Sequence, residues 1–303
     1  MSQALSSGEK NKRISWFGLW NVLKETFSSF FEEKSLFHGA ALAYYTVFAL
    51  VPLLYLSISY LGKITGQDVM LKIIEDLLRN QVGISDVKGI MDFVGQLNFE
   101  KGNFLYEMIG FVVLAAASSA FVVCLRHSIN DFYDLEVNYS SRKKRFVKNL
   151  LFRAISLAVV VVSAVLIIVV YFTQTILISF SSEFLSSSKW LDSVFSGFMS
   201  HSLTLFSNVI LFYIILKYVH DGYVHWRIAV LGAIVTAFLL YAGQLLIKYY
   251  LFHIFYGAKS GGIAGTLFVL LAFVYYSSQI IFLGAKFTSV YAKHKGQPIH
   301  FRE

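Results

Sequence analysis

Histidine and carboxylate side chains that could hold a catalytic metal come close together at one place in this sequence. His220 and Asp221 are adjacent, and His225 follows four residues later. A metal-dependent hydrolase needs such ligands at close spacing, but the segment resembles no known hydrolase motif. We therefore interpret it as a short solvated loop rather than as a metal site.

Other catalytic signatures are missing as well. The sequence contains neither a GxxxxGK[ST] phosphate-binding loop nor a GxSxG nucleophile elbow. The basic run Arg142–Arg145 could contact RNA phosphates, but anionic lipid explains such a run at a membrane face without RNA. We expect no enzymatic activity, no cofactor and no nucleic-acid partner.

Polar side chains embedded in long apolar runs are the better clue to function. A polar group is costly in lipid, so it usually faces the interior of a helical bundle. There it could line a substrate path, or it could form hydrogen bonds between helices without any substrate. For the Tyr44–Tyr45 and Tyr275–Gln279 groups the two interpretations are comparable. The substrate-path candidates are Tyr44, Tyr45, Gln244, Tyr275, Tyr276 and Gln279.

Arg126 and Asn130 are candidates of a different kind. They follow an apolar run at a spacing of four, which places them on one face of a helix. They could bind a phosphate-bearing lipid headgroup. They could equally pair with Asp134 or cap a neighbouring helix, and we favour this structural role.

The elements that must position these residues are membrane-spanning helices. The 303 residues are 56% hydrophobic and 15% charged, whereas soluble domains carry about 45–50% apolar and about 25% charged residues. A spanning helix needs about 20 mostly apolar residues. The sequence therefore predicts an all-α, polytopic membrane protein with six transmembrane helices, at residues 40–61, 104–125, 154–178, 198–216, 228–247 and 263–285.

Two regions outside the spans show helical spacing. In the N-terminal region, residues 1–39, an apolar stripe predicts an interfacial helix lying along the membrane, although a cap helix packed on loops is the alternative. The loop at residues 62–103 has two amphipathic stretches, 69–79 and 90–97, which we expect to cap the bundle. The residues of the N-terminal stripe are Trp16, Trp20, Leu23, Phe27 and Phe30.

Basic residues predict the orientation. Six spans place both termini on one side, and eighteen of the 26 Lys and Arg residues lie on that side against seven on the other. Basic residues accumulate on the cytoplasmic side of membrane proteins. We therefore expect a cytoplasmic N terminus, a cytoplasmic tail at residues 286–303 and an external loop at residues 62–103.

Several motifs together resemble the YihY/BrkB family of bacterial inner-membrane proteins. The first span opens with His38-Gly-Ala-Ala-Leu-Ala-Tyr-Tyr-Thr-Val-Phe-Ala-Leu-Val-Pro52. The Arg126 and Asn130 pair also matches, as do Gly232-Ala233, Tyr256-Gly-Ala, Tyr275-Tyr-Ser-Ser-Gln279 and Gly284-Ala285-Lys286. The resemblance covers residues 16–292. The family usually has Glu at the position of Lys286, so no role of that Glu is carried over.

The resemblance implies a multi-pass protein of the bacterial inner membrane. The family once carried the label ribonuclease BN, which is generally regarded as mistaken. Its members have been linked to envelope integrity, to resistance to serum killing and to export of envelope lipids. The resemblance thus implies a transporter or exporter of an envelope lipid or amphipathic solute, with membrane lipids as partners. The alternative is a membrane scaffold that supports envelope integrity through protein partners, and a homo-oligomer is compatible with either function.

Overall fold

The computed structural model describes residues 16–32, 35–79, 87, 104–135, 189–253 and 262–301, together with scattered residues between Ala158 and Ile176. A π-helical turn, Ser57–Leu61, continues the second helix. A short antiparallel ladder pairs β1 (Gly222–Tyr223) with β2 (His300–Phe301). The helices are α1 (Trp16–Glu32), α2 (Ser35–Leu56), α3 (Gly62–Thr65), α4 (Gln67–Leu77), α5 (Phe104–Phe132), α6 (Lys189–Tyr218), α7 (Trp226–His253) and α8 (Gly262–His294).

Within the described residues, five segments are long and apolar enough to cross a membrane. They are Ser35–Tyr60, Met108–Phe132, Gly197–Tyr218, Trp226–Ile247 and Leu267–His294. The predicted all-α membrane class is confirmed. The predicted third span, residues 154–178, lies mostly outside the described residues, and those of its residues that are described are helical. The total of six spans therefore stays a prediction.

Three helices extend beyond their predicted spans at one end of the bundle. α2 begins at Ser35 instead of residue 40, α5 continues to Phe132 instead of residue 125, and α8 runs to His294 instead of residue 285. Residues 286–294, predicted as part of a tail, are thus the last turns of α8. The added turns of α5 and α8 carry polar residues that are buried, such as Ser128 and Thr288. A prediction based on apolar runs ends the span at the first such residue, because the sequence does not show that this residue has a partner in the folded protein.

Helix α1 packs against α8 and has two apolar faces. Val22, Thr26 and Phe30 are buried, whereas the neighbouring face with Trp20, 69% exposed, is open. The predicted single stripe is wrong in one residue, because Phe30 turns into the core and stacks on Phe132 with ring centroids 5.8 Å apart. The open face consists of Trp20, Leu23, Phe27 and Phe31. A helix with an open apolar face suits a membrane interface, and the interfacial position of α1 stays a prediction.

The opposite end of the bundle is covered by α4. Its buried residues Met70, Ile73 and Ile74 pack with Ile58 of the π-helical turn and with residues of α8. The predicted amphipathic stretch at residues 69–79 is therefore helical and packs on the bundle. The second predicted stretch, residues 90–97, lies outside the described residues.

Helices α7 and α8 run antiparallel and touch at small residues. An added Cβ at Gly232 would meet the side chain of Thr288, and one at Gly284 would meet that of Thr236. Further along, Gly243 faces the hydroxyl of Tyr276. Small residues allow membrane helices to approach closely, and Gly232 and Gly284 have this role between α7 and α8. At Gly265, by contrast, an added Cβ would meet no atom of the described residues within 4 Å.

Candidate functional site

Charged side chains gather where α5, α6 and α8 end and where α2 and α7 begin, and we call this region the charged end. Arg126 and Asp221 form an ion pair here, and Asp134 forms ion pairs with Lys286 and Lys293. These contacts join segments that are far apart in the sequence. The charged end is therefore a tertiary site and not a local motif.

The ion pair between Arg126 and Asp221 is almost fully buried, with each residue only 4% exposed. The guanidinium donates from Nε to Oδ2 at 2.8 Å and from Nη2 to Oδ1 at 2.6 Å. Asn130 adds a bond from Nδ2 to Oδ2 at 2.7 Å and accepts the Asp221 backbone N–H at 3.0 Å. A buried charge is tolerated only when it is paired and hydrogen-bonded in this way. The cluster ties α5 to the connection between α6 and α7.

Arg126 and Asn130 therefore share a helix face, as predicted, but the partner of Arg126 is Asp221 and not Asp134. In this structure the side chains of Arg126 and Asn130 both donate hydrogen bonds to the carboxylate of Asp221. Their binding of a lipid headgroup stays a prediction, and the geometry described here fits the structural role that we favoured.

Asp134 holds the end of α8 against the end of α5. Its carboxylate accepts hydrogen bonds from Lys286 at 3.2 Å and from Lys293 at 2.7 Å. Burial alone would raise the pKa of Asp134, but the hydrogen bond from Lys293 and the charge of Lys286 outweigh it and hold the pKa below its usual value. Lys286 thus has a structural partner within this chain.

Asp134 also ends helix α5 in an unusual conformation. Its φ is 55°, in the left-handed region that L-residues rarely adopt. The N–H of Asp134 bonds the carbonyl of Asp131, and the N–H of Leu135 bonds that of Asn130, which is the Schellman pattern of a helix end. Gly296 takes the same place after α8, with a φ of 74°. Asp is tolerated better there than most residues because its short side chain can bond locally.

The segment with His220 and Asp221 is buried, so the prediction of a solvated loop is wrong. The carbonyl of Leu216 can only accept and the N–H of Gly222 can only donate, so the 2.8 Å and 3.0 Å contacts define a neutral His220 ring with the proton on Nε2. Burial lowers the pKa of His220 from 6.5 to about 4. Among the described residues, no group of three His, Cys, Asp or Glu side chains could hold a metal ion.

His38, from the motif that opens the first span, completes the charged end. Its Nδ1 lies 2.9 Å from the hydroxyl of Ser128, and its Nε2 lies 3.4 Å from the carboxylate of Asp131. The ring packs edge-on against Phe132 and Phe282. His38 therefore fixes the start of α2 against the end of α5.

The substrate-path candidates do not form one group. Tyr44 is 58% exposed on the outer surface of α2, where it packs against Tyr45 and Phe48. Tyr276 faces α7 at Gly243, on the helix where Gln244 is buried. Their role in a substrate path stays a prediction.

Tyr275 and Gln279, by contrast, lie together where α8 meets α2. An added Cβ at Gly39 would collide with the Gln279 amide and would come within 3.2 Å of the Tyr275 ring. The Gln279 Nε2 donates to the carbonyl of Ser35 at 3.0 Å, while its Oε1 is buried without a hydrogen-bond partner among the described residues. We call Ser35, Gly39, Tyr275 and Gln279 the α2–α8 seam.

Sequence reasoning missed the contacts of the residues that complete the charged end, namely His38, Asp134, His220, Asp221, Lys286 and Lys293. A usable signal was present for Lys286. It directly follows an apolar run, and a charge at such a place needs a partner within the protein. Which partner it has could not be read from spacing.

Comparison with known proteins gives one match. No curated protein and no solved structure matches the chain. The family model described as virulence factor BrkB matches residues 26–301. This range contains the α2–α8 seam and the ion pairs of Asp221 and Asp134. Because the match covers nearly the whole chain, this membrane protein belongs to the BrkB family.

Proposed function

We propose that this chain is a non-enzymatic transporter that moves or accommodates an envelope lipid or amphipathic solute in the bacterial inner membrane, with both termini in the cytoplasm. Its partners are then membrane lipids and not nucleic acid. The observation that carries the proposal is the buried Gln279 carbonyl oxygen in the α2–α8 seam, which has no hydrogen-bond partner among the residues that the structure describes.

The orientation of the Gln279 amide follows from its neighbour. Nε2 donates to the Ser35 carbonyl, and the flipped amide would instead place two oxygen atoms against each other. The atom without a partner is therefore the oxygen. Leaving such an acceptor buried and unpaired costs about 1–3 kcal/mol. A donor on a bound molecule, such as a headgroup hydroxyl or amine, would remove that cost.

The position of the seam also fits an amphipathic ligand. Ser35 and Gly39 lie at the start of the first spanning segment, Ser35–Tyr60. Polar headgroups occupy this depth of a bilayer, on either side of a hydrocarbon core of about 30 Å. A headgroup could thus contact Gln279 while its acyl chains stay among apolar side chains.

The charged end suits a transporter because its ion pairs join the ends of several helices. Arg126–Asp221 and Lys286–Asp134 join α5 with the α6–α7 connection and with α8. Alternating access requires one side to be shut while the other is open. We propose that these ion pairs hold the bundle shut on the cytoplasmic side.

The experiment is mass spectrometry of the lipids that co-purify with the protein in native nanodiscs. We expect one envelope lipid to be enriched over the bulk membrane, and the enrichment to fall about tenfold in Gln279→Ala, since a buried hydrogen bond contributes about 1.5 kcal/mol. The matched control is Ser277→Ala on the same helix, because the Ser277 hydroxyl bonds only the Phe273 carbonyl of its own helix.

A bulk lipid composition in the wild-type protein would contradict transport of a bound lipid. If a protein partner is retained in its place, the result favours the scaffold that supports envelope integrity. Equal losses in Gln279→Ala and Ser277→Ala would remove the seam as the binding site.

A further inference from the structure

A cavity of about 210 Å³ opens at the charged end, away from the ion pairs described above. His225, Trp226 and Arg227 line it from the start of α7, and Lys295 and Gln297 line it from the segment after α8. None of these five residues is acidic. The cavity is therefore polar and basic, and it takes no part in the clusters around Asp221 and Asp134.

The two cations of the cavity differ from those of the aspartate clusters. Arg126, Lys286 and Lys293 each pair with an aspartate. Arg227 instead lies over the Trp226 ring at 5.2 Å, and Lys295 lies over the Tyr291 ring at 5.7 Å. In the part of the chain that the structure describes, neither of the two has a carboxylate within 4.0 Å. Two positive charges thus face one cavity without a negative partner.

The walls of the cavity are held at a fixed separation. The ladder that pairs Gly222 with Phe301 and Tyr223 with His300 joins the segment before α7 to the segment after α8. The turn between α8 and this ladder is closed by a bond from the Gln297 N–H to the Ala292 carbonyl at 2.9 Å. A binding site that is rigid before its ligand arrives loses less entropy when it binds.

The surroundings of the cavity place it at the level of lipid headgroups. Spanning segments end at Tyr218 and begin at Trp226 on its two sides. Tyr218, Tyr223 and Trp226 are all exposed there. Exposed Tyr and Trp side chains at the ends of membrane helices mark the boundary between lipid and water.

We propose that this cavity binds a glycerol-linked phosphate, contacted by Arg227 and Lys295 and by the polar side chains of His225 and Gln297. Arginine offers a fork of N–H donors that matches phosphate oxygens, and lysine adds a compact positive charge. The phosphate belongs either to an anionic phospholipid of the surrounding leaflet or to a soluble glycerol phosphate. This site lies apart from the α2–α8 seam and does not depend on transport.

Binding at this site would link the start of α7 to the segment after α8 through the ligand. Arg227 lies in the wall formed by the start of α7, and Lys295 lies in the wall formed by the segment after α8. One phosphate that contacts both residues would join these two segments, which the β1–β2 ladder also joins. The site would thus couple the packing of the bundle to the phosphate groups available at the membrane surface.

The test compares two double variants of the full-length protein. Arg227→Gln/Lys295→Gln removes both cavity cations. Lys217→Gln/Lys24→Gln removes the same charge from the same end, at residues outside the cavity. The first probe is phosphatidylglycerol, present as a minor lipid in phosphatidylcholine nanodiscs and counted on the released protein by native mass spectrometry. The second probe is glycerol 3-phosphate, titrated in neutral detergent and followed by tryptophan fluorescence.

We expect the amount of phosphatidylglycerol bound to the cavity double variant to be about one tenth of the wild-type amount or lower. The reason is that this variant loses two charged hydrogen-bond donors. The control double variant should stay within about twofold, since it loses two charges that do not line the cavity. If the cavity double variant loses binding of glycerol 3-phosphate but keeps binding of phosphatidylglycerol, the natural ligand is the soluble compound. If the cavity double variant unfolds early, the single variant Lys295→Gln serves in its place.

Equal losses of phosphatidylglycerol in the two double variants would overturn the site, because general charge would then explain the binding. Wild-type binding of both probes by the cavity double variant would overturn it as well.

Discussion

Arg126 and Asp221 set the stability of the charged end at the scale of single residues. Each is almost fully buried, and each satisfies the other through two hydrogen bonds. Breaking such a pair is costly because the remaining charge stays buried without compensation. An exposed pair such as Arg79 with Glu75 contributes far less, since water already solvates both groups.

The first prediction follows from this difference. Asp221→Asn should lower the free energy of unfolding by about 3–5 kcal/mol, because it leaves the Arg126 charge buried. Glu75→Gln, which breaks the exposed pair, should cost about 0.3–0.5 kcal/mol. Denaturant or thermal unfolding in one detergent measures both. Similar losses in the two variants would show that Arg126 finds other solvation.

His220 gives the charged end a dependence on pH. Its pKa is about 4 in the folded protein, because burial disfavours the charged ring, against 6.5 for an ordinary histidine. Since the unfolded chain binds the proton first, this contribution to stability is complete above pH 6.5 and declines as the pH falls toward 4. The neutral ring also keeps its contacts with Leu216 and Gly222.

The second prediction is that the wild type loses about 2 kcal/mol more unfolding free energy than His220→Gln between pH 7.5 and pH 5. Glutamine retains a donor and an acceptor but does not titrate. The measurement is the difference between the two unfolding curves at each pH, which cancels the titration of the remaining groups. Parallel pH dependences would contradict the buried neutral histidine.

The contact between α7 and α8 is decided at the scale of the element. Gly232 faces Thr288, Thr236 faces Gly284, and Tyr276 faces Gly243, so one antiparallel register carries all three contacts. Each contact needs a residue without a side chain on one helix. Van der Waals packing drives such contacts in lipid, where apolar burial gives little gain.

The third prediction compares two glycines of α8. Gly284→Ala should lower the unfolding free energy by about 1–3 kcal/mol, because the new methyl group collides with Thr236. Gly265→Ala should leave it unchanged or raise it by up to about 1 kcal/mol, since nothing lies within 4 Å and alanine favours the helix. Thermal unfolding in detergent measures both. A loss at Gly265 that matched the loss at Gly284 would count against this register.

The directions of the helices constrain the molecule as a whole. Tyr133, just past the end of α5, bonds the carbonyl of Leu216 near the end of α6, so both helices run toward the charged end. α5 and α6 are therefore parallel, which is the arrangement expected of two helices separated by one predicted span, residues 154–178. The total of six spans stays a prediction.

The fourth prediction concerns orientation. In a Cys124→Ser background, Ser28→Cys on the exposed side of α1 should react with a membrane-impermeant maleimide only after the cells are permeabilised. Gln67→Cys, at the exposed start of α4, should react in intact spheroplasts. The reason is the predicted orientation, in which the excess of basic residues places the charged end on the cytoplasmic side. Labelling of both positions from the same side would contradict the predicted topology.

The sequence by itself determined the membrane class, the approximate positions of the spans that the structure describes, and the shared helix face of Arg126 and Asn130. Each of these properties depends on neighbours within one helix, where length, apolar content and a spacing of four are sufficient. The tertiary structure alone decided that Arg126 pairs with Asp221, 95 residues away. It also decided that the segment with His220 is buried and that Phe30 lies in the core instead of on the exposed face of α1. An open basic cavity between α7 and the segment after α8 is likewise a tertiary feature. Contacts of this kind depend on which helix ends meet in space, and spacing along one helix carries no information about that.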